Sequence, residues 1–529
     1  MTLITSAAYV NPEFEVEFGR IPPAFLPVGN KKLIQHQVSA IRNVFSDEII
    51  YITLPVSYEL NTLESIVISG CGVFVVKCED SLSLAASIRT ALTSIEAEKE
   101  RQIEGPIRIL HGDTLVSDFP KNDAFIGVSR LEVDYNWEFD QVDKSGDSIW
   151  CGCFAFNSIG NLKNQLERQK LFVEAVRSYD KILPLARVCV KTWMDFGHIN
   201  TYFQSRSQLT TQRSFNTLSV SGGCVRKAGL PGHKIIAEGQ WFKNLPVPFK
   251  CYSPQLIDSG KGSGGNPYYV TEYLPIPPLN EIYVHGRNSS VFWQKAIGLC
   301  VEYLQKCIEY PVPAKSASRI SGELCLLARN KTVSRLELFE KNNRWFNGKK
   351  PININCNNIP SILDIVEDCV CKIKNSPALP GFLHGDFCFS NILYDSRSRM
   401  IKVIDPRGLD SSDKITSYGD VRYDVAKLTH SIIGLYDFIM ADAFNCRMTK
   451  SVKCYNFVID IFKDQRIEKI QNEFLLNTQG GRISAQQALP LVVLLFFSML
   501  PLHSDNPKRQ LALLANGCRI YSQMIKKDI

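Results

Sequence analysis

The chain of 529 residues lacks several features that mark special structural classes. It contains no internal repeat and no low-complexity tract, which argues against repeat and disordered architectures. Its formal charge of +7 is spread along the sequence, and the one notable cationic end is Lys526-Lys527. No basic stripe interleaved with aromatic residues occurs, so we expect no nucleic-acid partner.

Long apolar runs are also missing. The most apolar window covers residues 488–502 and contains Pro490 and Pro501. This window is too short to cross a bilayer, so it predicts a buried helix and no membrane span.

The seventeen cysteines lie scattered through apolar runs, and no secretory signal peptide precedes them. We therefore expect free, mostly buried thiols in a reducing cytoplasm. Cys151 with Cys153, and Cys369 with Cys371, lack a second ligand pair, which argues against zinc.

Length and composition indicate a multidomain protein with large cores. The length favours about three to four globular units. Hydrophobic residues make up 45% and charged residues 21%, which is ordinary for a soluble protein.

The most informative segment covers residues 382–408. An apolar strand runs into Asp386, Asn391 follows five residues later, and a second apolar strand ends at Asp405. Phosphoryl transfer needs one carboxylate to accept a hydroxyl proton, and an amide with a second carboxylate to hold Mg²⁺. His-Gly-Asp occurs twice, at 111–113 and 384–386, but only the second copy has these partners. The full set therefore predicts a phosphotransferase, although the tripeptide alone usually marks a turn.

This segment resembles the aminoglycoside phosphotransferase and choline kinase superfamily of small-molecule kinases, which share the protein-kinase fold. The resemblance implies that Asp386 is the catalytic base, that Asn391 and Asp405 bind Mg²⁺, and that His384 is structural. Residues 418–428 are similar to the Asp-rich segment that opens the following helix in that superfamily. There Asp420 either orients the catalytic loop or caps the helix.

An upstream half of a kinase is also present. Residues 215–227 read as a β-hairpin with Gly222 and Gly223 at its turn. Such a hairpin can cover phosphates, and Lys227, with Lys234 as the alternative, can reach them.

Two further positions follow this hairpin. Glu238 lies on a predicted helix and either pairs with Lys227 or is an exposed carboxylate. The strand of residues 267–275, containing Glu272 and Leu274, corresponds by resemblance to the hinge that binds adenine.

The first two hundred residues show an alternating strand and helix pattern that resembles sugar-phosphate nucleotidyltransferases. Residues 21–34 resemble the nucleotide-gripping stretch of that family, and residues 150–156 resemble a later core strand. Asp113 and Asp195 correspond to its two metal carboxylates and would together form an Mg²⁺ site. Alternatively, each carboxylate caps a strand-to-loop transition.

The sequence departs from that family where its glycine-rich loop should be. The expected loop of residues 7–19 contains Glu13, Glu15 and Glu17, which would repel a triphosphate unless they point away. The cations left near the expected site are Arg20, Lys31 and Lys32.

We therefore expect two domains. Residues 1–208 would form a Rossmann-like α/β nucleotidyltransferase domain with a mixed sheet. Residues 209–529 would form an α+β, two-lobed kinase-like domain, with an N-lobe of about 209–275 and a C-lobe of about 276–529. Mg²⁺ and ATP are the expected cofactors, with CTP or UTP as a second nucleoside triphosphate in the first domain.

The main hypothesis is a cytoplasmic bifunctional enzyme that phosphorylates a sugar or small alcohol and couples it to a nucleotide for capsular polysaccharide synthesis. The alternative is a kinase with a catalytically silent N-terminal module that binds a sugar phosphate or nucleotide. A non-enzymatic scaffold is disfavoured by the intact Asp386, Asn391 and Asp405 set.

A choline-like acceptor would need an aromatic cage, for which Tyr418, Tyr423 and Tyr436 are candidates. Assembly into a homo-oligomer stays open.

Overall fold

A computed structural model describes residues 1–99, 105–130, 135, 137–140, 148–209, 216–262, 264–451 and 453–527. The chain divides into two compact units, residues 1–210 with 285–288, and residues 211–284 with 289–529. The boundary predicted at 208/209 stays a prediction, and residues 210–215 beside it lie outside the described part.

The first unit contains a mixed sheet and helices on both of its faces. Its strands are β1 Thr2–Thr5, β2 Pro27–Val28, β3 Lys31–Lys32, β4 Ile50–Pro55, β5 Val73–Cys78, β6 Ile107–His111, β7 Thr114–Val116, β8 Phe125–Arg130, β9 Ser148–Phe156, β10 Ala186–Cys189 and β11 Trp193–Asp195. Its helices are α1 Pro12–Phe18, α2 Leu33–Val44, α3 Thr62–Gly70, α4 Leu84–Lys99, α5 Ile159–Arg168, α6 Phe172–Ile182 and α7 Ile199–Gln208.

Seven strands form the central sheet in the order β10-β8-β9-β6-β1-β4-β5. β1 pairs in parallel with β4 and β6, whereas β9 is antiparallel to β6 and β8. Leu3 and Ile4, adjacent on β1, enter separate core clusters because neighbouring strand residues face opposite sides of a sheet. The predicted mixed α/β fold of this unit is confirmed.

The second unit combines two four-stranded and two two-stranded sheets, among its described residues, with a large helical part. Its strands are β12 Asn216–Ser221, β13 Cys224–Gly229, β14 Leu256–Lys261, β15 Pro267–Glu272, β16 Ile352–Ile354, β17 Asn357–Ile359, β18 Pro380–Phe382, β19 Ile392–Asp395, β20 Met400–Val403, β21 Tyr418–Asp420, β22 Phe444–Lys450 and β23 Tyr455–Ile461. Its helices are α8 Gly232–Lys243, α9 Leu279–His285, α10 Ser290–Glu309, α11 Ala314–Asn342, α12 Ile362–Asn375, α13 Arg422–Ile432, α14 Tyr436–Met440, α15 Gln465–Asn477, α16 Ala485–Ser498 and α17 Pro507–Lys527.

The N-terminal part of this unit is an antiparallel sheet of order β12-β13-β15-β14 with α8 packed against β15. The remaining helices and short strands form the C-terminal part. The predicted two-lobed α+β organisation is thereby confirmed. A second four-stranded sheet, β17-β16-β23-β22, lies within the C-terminal part.

The apolar window at residues 488–502 forms most of α16, which is buried from Ala488 to Ser498 and contains Pro490 near its start. The predicted buried helix is therefore confirmed. Within the described residues, no helix combines the length and apolarity needed to cross a membrane. All seventeen cysteines are free thiols.

Substitution of Phe154 on β9 tests how much the stability of the first unit depends on its aromatic core. Its side chain is 1% exposed and its ring lies against Trp150, Phe156 and Phe172. We expect Phe154→Ala to cost about 3–5 kcal/mol of stability, because it leaves a cavity that the packed sheet cannot fill. Phe74→Ala on β5, where the ring is 54% exposed, is the matched control with a small effect. Thermal unfolding of both variants measures the difference, and equal shifts would contradict the assigned packing.

Candidate active site

The predicted catalytic segment of the second unit is a strand, a loop and a hairpin. β18 leads into the loop of residues 383–391, and β19 then pairs antiparallel with β20. The backbone N–H of Ile404 donates to the carbonyl of Asn391 at 3.0 Å, so Asp405 follows directly beside Asn391. Asp405 has a φ of 55°, a left-handed conformation that non-glycine residues adopt mainly where function or packing demands it.

Asp386 lies at the centre of this segment. The amide of Asn391 donates to its carboxylate Oδ2 at 2.9 Å and to its backbone carbonyl at 3.0 Å. Lys427 forms an ion pair with its other carboxylate oxygen at 2.7 Å. Burial, the largest single cause, would raise the pKa of Asp386, but the charge and hydrogen bond of Lys427, together with His384 and the Asn391 hydrogen bond, lower this pKa below its ordinary value. Asp386 is therefore ionised at neutral pH.

The loop is held by a second carboxylate, that of Asp424 on α13. Its two oxygens accept the backbone N–H groups of His384 and Gly385, both at 2.8 Å, and its side chain is fully buried. Burial, the dominant cause, raises the pKa of Asp424 to about 7. Asp420 instead accepts from Leu379 N and from the Arg422 side chain. The loop is therefore oriented by Asp424 and not by Asp420.

His384 is structural, as the resemblance implies. Its ring is fully buried, and its Nδ1 accepts the backbone N–H of Asp386 at 3.2 Å. Burial lowers the pKa of His384 to about 4, so the ring is neutral at pH 7. Trp241 packs edge-on against this ring and donates to the Leu383 carbonyl at 2.9 Å.

Lys227 on β13 joins the two halves of the unit. Its ammonium lies 2.7 Å from Glu238 on α8 and 3.1 Å from Asp405. Burial would lower the pKa of Lys227, but Asp405 and Glu238 outweigh it and raise this pKa above its ordinary value. The geometry thus favours the paired alternative for Glu238, whereas Lys234 is exposed on the surface of α8.

The predicted phosphate hairpin and hinge lie next to each other. Gly222 and Gly223 have φ of 55° and 72° in the β12–β13 turn, which requires left-handed backbone at both positions. Glu272 ends β15 opposite Cys224, and Tyr273 N donates to the Gly223 carbonyl at 2.8 Å. Leu274 follows in the connection to α9, with its carbonyl accepting from Ile276 N.

The oxygen donors at this site suit magnesium. Asn391 offers an amide oxygen, and Asp405 offers a carboxylate that is 44% exposed. Mg²⁺ in phosphoryl-transfer sites is held by one or two protein oxygens together with substrate phosphates. In the described part of the chain, no group of three His, Cys, Asp or Glu side chains could hold a metal without such phosphates.

The first unit contains a second pair of carboxylates. Strands β7 and β11 pair antiparallel, and both Asp113 and Asp195 lie against Gly197. Burial first, and then the charge of Asp195, raise the pKa of Asp113 to about 6. The Nδ1 of His198 lies 3.0 Å from the Asp195 carboxylate, which also accepts the Thr201 hydroxyl. Two adjoining carboxylates have the chemistry of an Mg²⁺ site.

The prediction of a loop at residues 7–19 is wrong for residues 12–18, because these residues form α1. The Asn11 side chain accepts Phe14 N at 3.2 Å and caps the helix, and Phe14 and Phe18 pack against Tyr202. A glycine-rich phosphate loop is therefore replaced by a helix with an acidic first turn.

The three cations near this helix have separate environments. Arg20 lies over the Tyr9 ring at 3.9 Å, and Lys31 is exposed on β3. Lys32 is 1% exposed and forms an ion pair with the fully buried Glu64 at 3.1 Å. None of these contacts involves Asp113 or Asp195, so the structure does not bring Arg20 or Lys31 to the carboxylate pair within the described residues.

Sequence comparison gives no assignment, since no protein-family model and no curated protein matches the chain. Solved structures do match. A nucleoside-diphosphate-sugar pyrophosphorylase from Vibrio cholerae RC9 is 14% identical with a TM-score of 0.33, covering 39% of this chain and 99% of that one. An inositol-1-phosphate CTP transferase from T. maritima is 12% identical with a TM-score of 0.29, covering 40% and 97%.

The larger part of the chain is similar to another class of proteins. The GDP complex of wild-type aminoglycoside 2'-phosphotransferase-IIIa is 12% identical with a TM-score of 0.35, covering 60% of this chain and 92% of that one. The nucleotidyltransferases cover the N-terminal portion and the phosphotransferases cover the larger part. Both resemblances seen in the sequence therefore recur among solved structures.

Asp424 provides a test of the loop geometry. Asp424→Ala would leave the N–H groups of His384 and Gly385 without their acceptor. We expect it to cost about 3 kcal/mol of stability, since each buried N–H group left without an acceptor costs about 1–3 kcal/mol. Urea unfolding measures this cost. Asp437→Ala, which removes another fully buried carboxylate in the same unit, serves as the comparison for backbone protection. Only Asp424→Ala should speed hydrogen exchange at residues 384–387, and unchanged exchange there would contradict its role.

Proposed function

We propose that the second unit is an ATP-dependent phosphotransferase that acts on a hydroxyl group of a small molecule. The observation that carries this proposal is the convergence of Asp386, Asn391 and Asp405 in one segment, with Lys227 bound to Asp405. These are the side chains that positioning and electrostatic stabilisation of a triphosphate require.

In the proposed reaction, Asp386 accepts the proton of the acceptor hydroxyl. The acceptor oxygen forms a bond to the γ-phosphorus, the bond from that phosphorus to the β,γ-bridging oxygen breaks, and ADP leaves with the electron pair. Lys227 binds phosphate oxygens and compensates their charge. When bound, Mg²⁺ would be held by Asn391 and Asp405 and would neutralise negative charge on the phosphates.

Asp386→Asn tests the base. The substitution keeps the shape of the side chain but removes its ability to take a proton. We expect kcat for ATP consumption with a good acceptor to fall by about 10²–10⁴. Affinity for ATP with Mg²⁺ should change little, because the proposed ligands Lys227, Asn391 and Asp405 remain.

The matched control is Asp460→Asn, an exposed carboxylate on β23. It should behave like the natural protein in coupled assays of ADP release and in calorimetric ATP titrations. If Asp386→Asn retained full turnover, the phosphotransferase assignment would be lost.

The first unit supports nucleotidyl transfer as a second candidate activity. The observation that favours it is the Asp113–Asp195 pair, whose mutual repulsion a divalent cation would relieve. We propose on this basis a bifunctional enzyme that phosphorylates a sugar or small alcohol and then couples the phosphate to CTP or UTP with release of pyrophosphate. Cytoplasmic synthesis of precursors for capsular polysaccharide is the role proposed for this pair of activities. The helix α1, with its acidic first turn, supports the alternative of a silent binding module.

Pyrophosphate release separates the two alternatives. With the phosphorylated acceptor and each nucleoside triphosphate, an active first unit should release pyrophosphate, and Asp113→Asn should reduce the rate by about 10²-fold or more because it removes half of the carboxylate pair. Asp386→Asn serves as the control and should leave this rate unchanged when the phosphorylated acceptor is supplied. Binding of nucleotide without pyrophosphate release would favour the silent module.

A further inference from the structure

A group of basic side chains lies beside the catalytic loop. We call it the cation cluster, and it consists of Lys331 and Arg335 on α11, Arg407 in the loop after Asp405, and Lys427 on α13. The Arg407 guanidinium lies over the Tyr423 ring, the charges of Lys331 and Lys427 act on Tyr423, and Tyr423 and Arg407 act electrostatically on Arg335. Tyr423 is 9% exposed. The proposed transfer of a phosphoryl group to a neutral acceptor does not require this much positive charge beside the catalytic loop.

Arg407 ties the cluster to the catalytic loop. Its backbone N–H donates to the His384 carbonyl at 2.9 Å, and its side chain runs directly alongside Gly385, next to Asp386. Its guanidinium lies over the Tyr423 ring at 5.9 Å. The aliphatic part of Arg407 therefore lies against the residue that precedes the proposed base.

Lys331 and Arg335 are one helical turn apart and so share a face of α11. An Arg335 N–H donates to the Ser498 carbonyl at 2.8 Å, which anchors that side chain to the end of α16. Although Tyr423 favours the charged form of Lys331, burial and the charges of Arg407, Arg335 and Lys427 lower the pKa of Lys331. Burial raises the pKa of Tyr423, but Lys331, Lys427 and Arg407 outweigh it and lower this pKa.

These cations lack compensating charge. Lys427 is paired with Asp386, but in the described residues no carboxylate forms an ion pair with Lys331, Arg335 or Arg407. The acidic groups that line a cavity together with Arg407 and Tyr423 are already engaged, since Asp410 and Glu323 pair with Arg319, and Asp420 pairs with Arg422. Three unpaired, partly buried cations repel one another, and a bound anion would relieve this repulsion.

We propose that the acceptor of this phosphotransferase is a hydroxyl compound that already carries an anionic group, a phosphate or a carboxylate, bound by Arg407, Lys331 and Arg335. The inference rests on the proposed function, because it places the acceptor's hydroxyl at Asp386. That hydroxyl gives its proton to Asp386 and takes the γ-phosphoryl group, while the anionic group is unchanged. Arginine suits this task because its planar fork binds phosphate and carboxylate in bidentate fashion.

The same geometry disfavours a choline-like acceptor at Tyr423. A cation–π cage leaves the aromatic face open to the ligand cation. The Tyr423 ring instead has a guanidinium over it and two lysines near it, so a quaternary ammonium would be repelled.

The first experiment compares matched acceptors with the full-length protein, ATP and Mg²⁺. The series are glucose, glucose 6-phosphate and gluconate, and glycerol, glycerol 3-phosphate and glycerate. We expect an anionic member to have a kcat/KM at least about tenfold above its neutral parent, which corresponds to one charge-assisted contact. The phosphate and carboxylate arms identify which anion is bound. A preference for the neutral parents, or for choline, would overturn the inference.

The second experiment measures anion binding without turnover. Inorganic phosphate is titrated by calorimetry at constant ionic strength, with the nucleotide site filled by a non-hydrolysable ATP analogue and Mg²⁺. The triple variant Lys331→Gln, Arg335→Gln, Arg407→Gln should bind phosphate at least about tenfold more weakly than the natural protein. Lys341→Gln, an exposed lysine on the same helix, is the matched control and should bind as the natural protein does.

The two experiments separate this inference from the proposed function. If the triple variant and the natural protein bind phosphate equally, the inference fails even if the kinase is active. If no acceptor consumes ATP while phosphate binding depends on the cluster, the anion site stands and the phosphotransferase assignment fails. Hydrogen exchange of the triple variant matching the natural protein at residues 384–387 would show that a binding loss does not arise from a displaced catalytic loop.

Discussion

Compensation of partly buried negative charge is the constraint on which the second unit depends. Glu238 is 14% exposed, Asp386 is 39% exposed and Asp405 is 44% exposed, and carboxylates that are partly removed from water are costly unless cations face them. Lys227 from the sheet meets Glu238 and Asp405, and Lys427 from α13 meets Asp386. Because these lysines come from different parts of the unit, the same ion pairs that permit the site also hold the N-terminal sheet, the hairpin after Asn391 and α13 in one arrangement.

The part of the site predictable from sequence is the part that lies within a short segment. Asp386, Asn391 and Asp405 stand at the ends of consecutive strands, so spacing alone places them together. Asp424 and Lys427 belong to a helix that follows, and their shared face could have been found from their spacing of three residues. Lys331 and Arg335 could not, because they lie more than fifty residues before Asp386 in the chain and only packing of α11 against β21 and α16 brings them to this part of the unit.

The first unit shows how a family resemblance can hide a local signal. Asn11, Pro12 and Glu13 form a capping residue, a first-turn proline and a first-turn acid, which is a helix start. The acidic residues argued against an ordinary phosphate cradle, but the prediction of a loop there gave more weight to the position of the segment than to its residues. The strands, and the position of Asp113 just after one of them, were predictable because buried strands appear in the sequence as apolar runs. The burial of Lys32 could not be predicted, because only tertiary structure places it against Glu64.

Lys427 has a second role when the acceptor is an anion. An anionic group approaching Asp386 would meet a carboxylate of the same sign, and the incoming triphosphate adds more negative charge nearby. With Lys427 bound to Asp386, the charges of that pair largely compensate each other, which leaves Arg407, Lys331 and Arg335 as the cations available to the proposed anionic acceptor. The base stays ionised because of the same lysine. One ion pair thus satisfies two opposed requirements, a charged base for the proton and a local field that admits an anion.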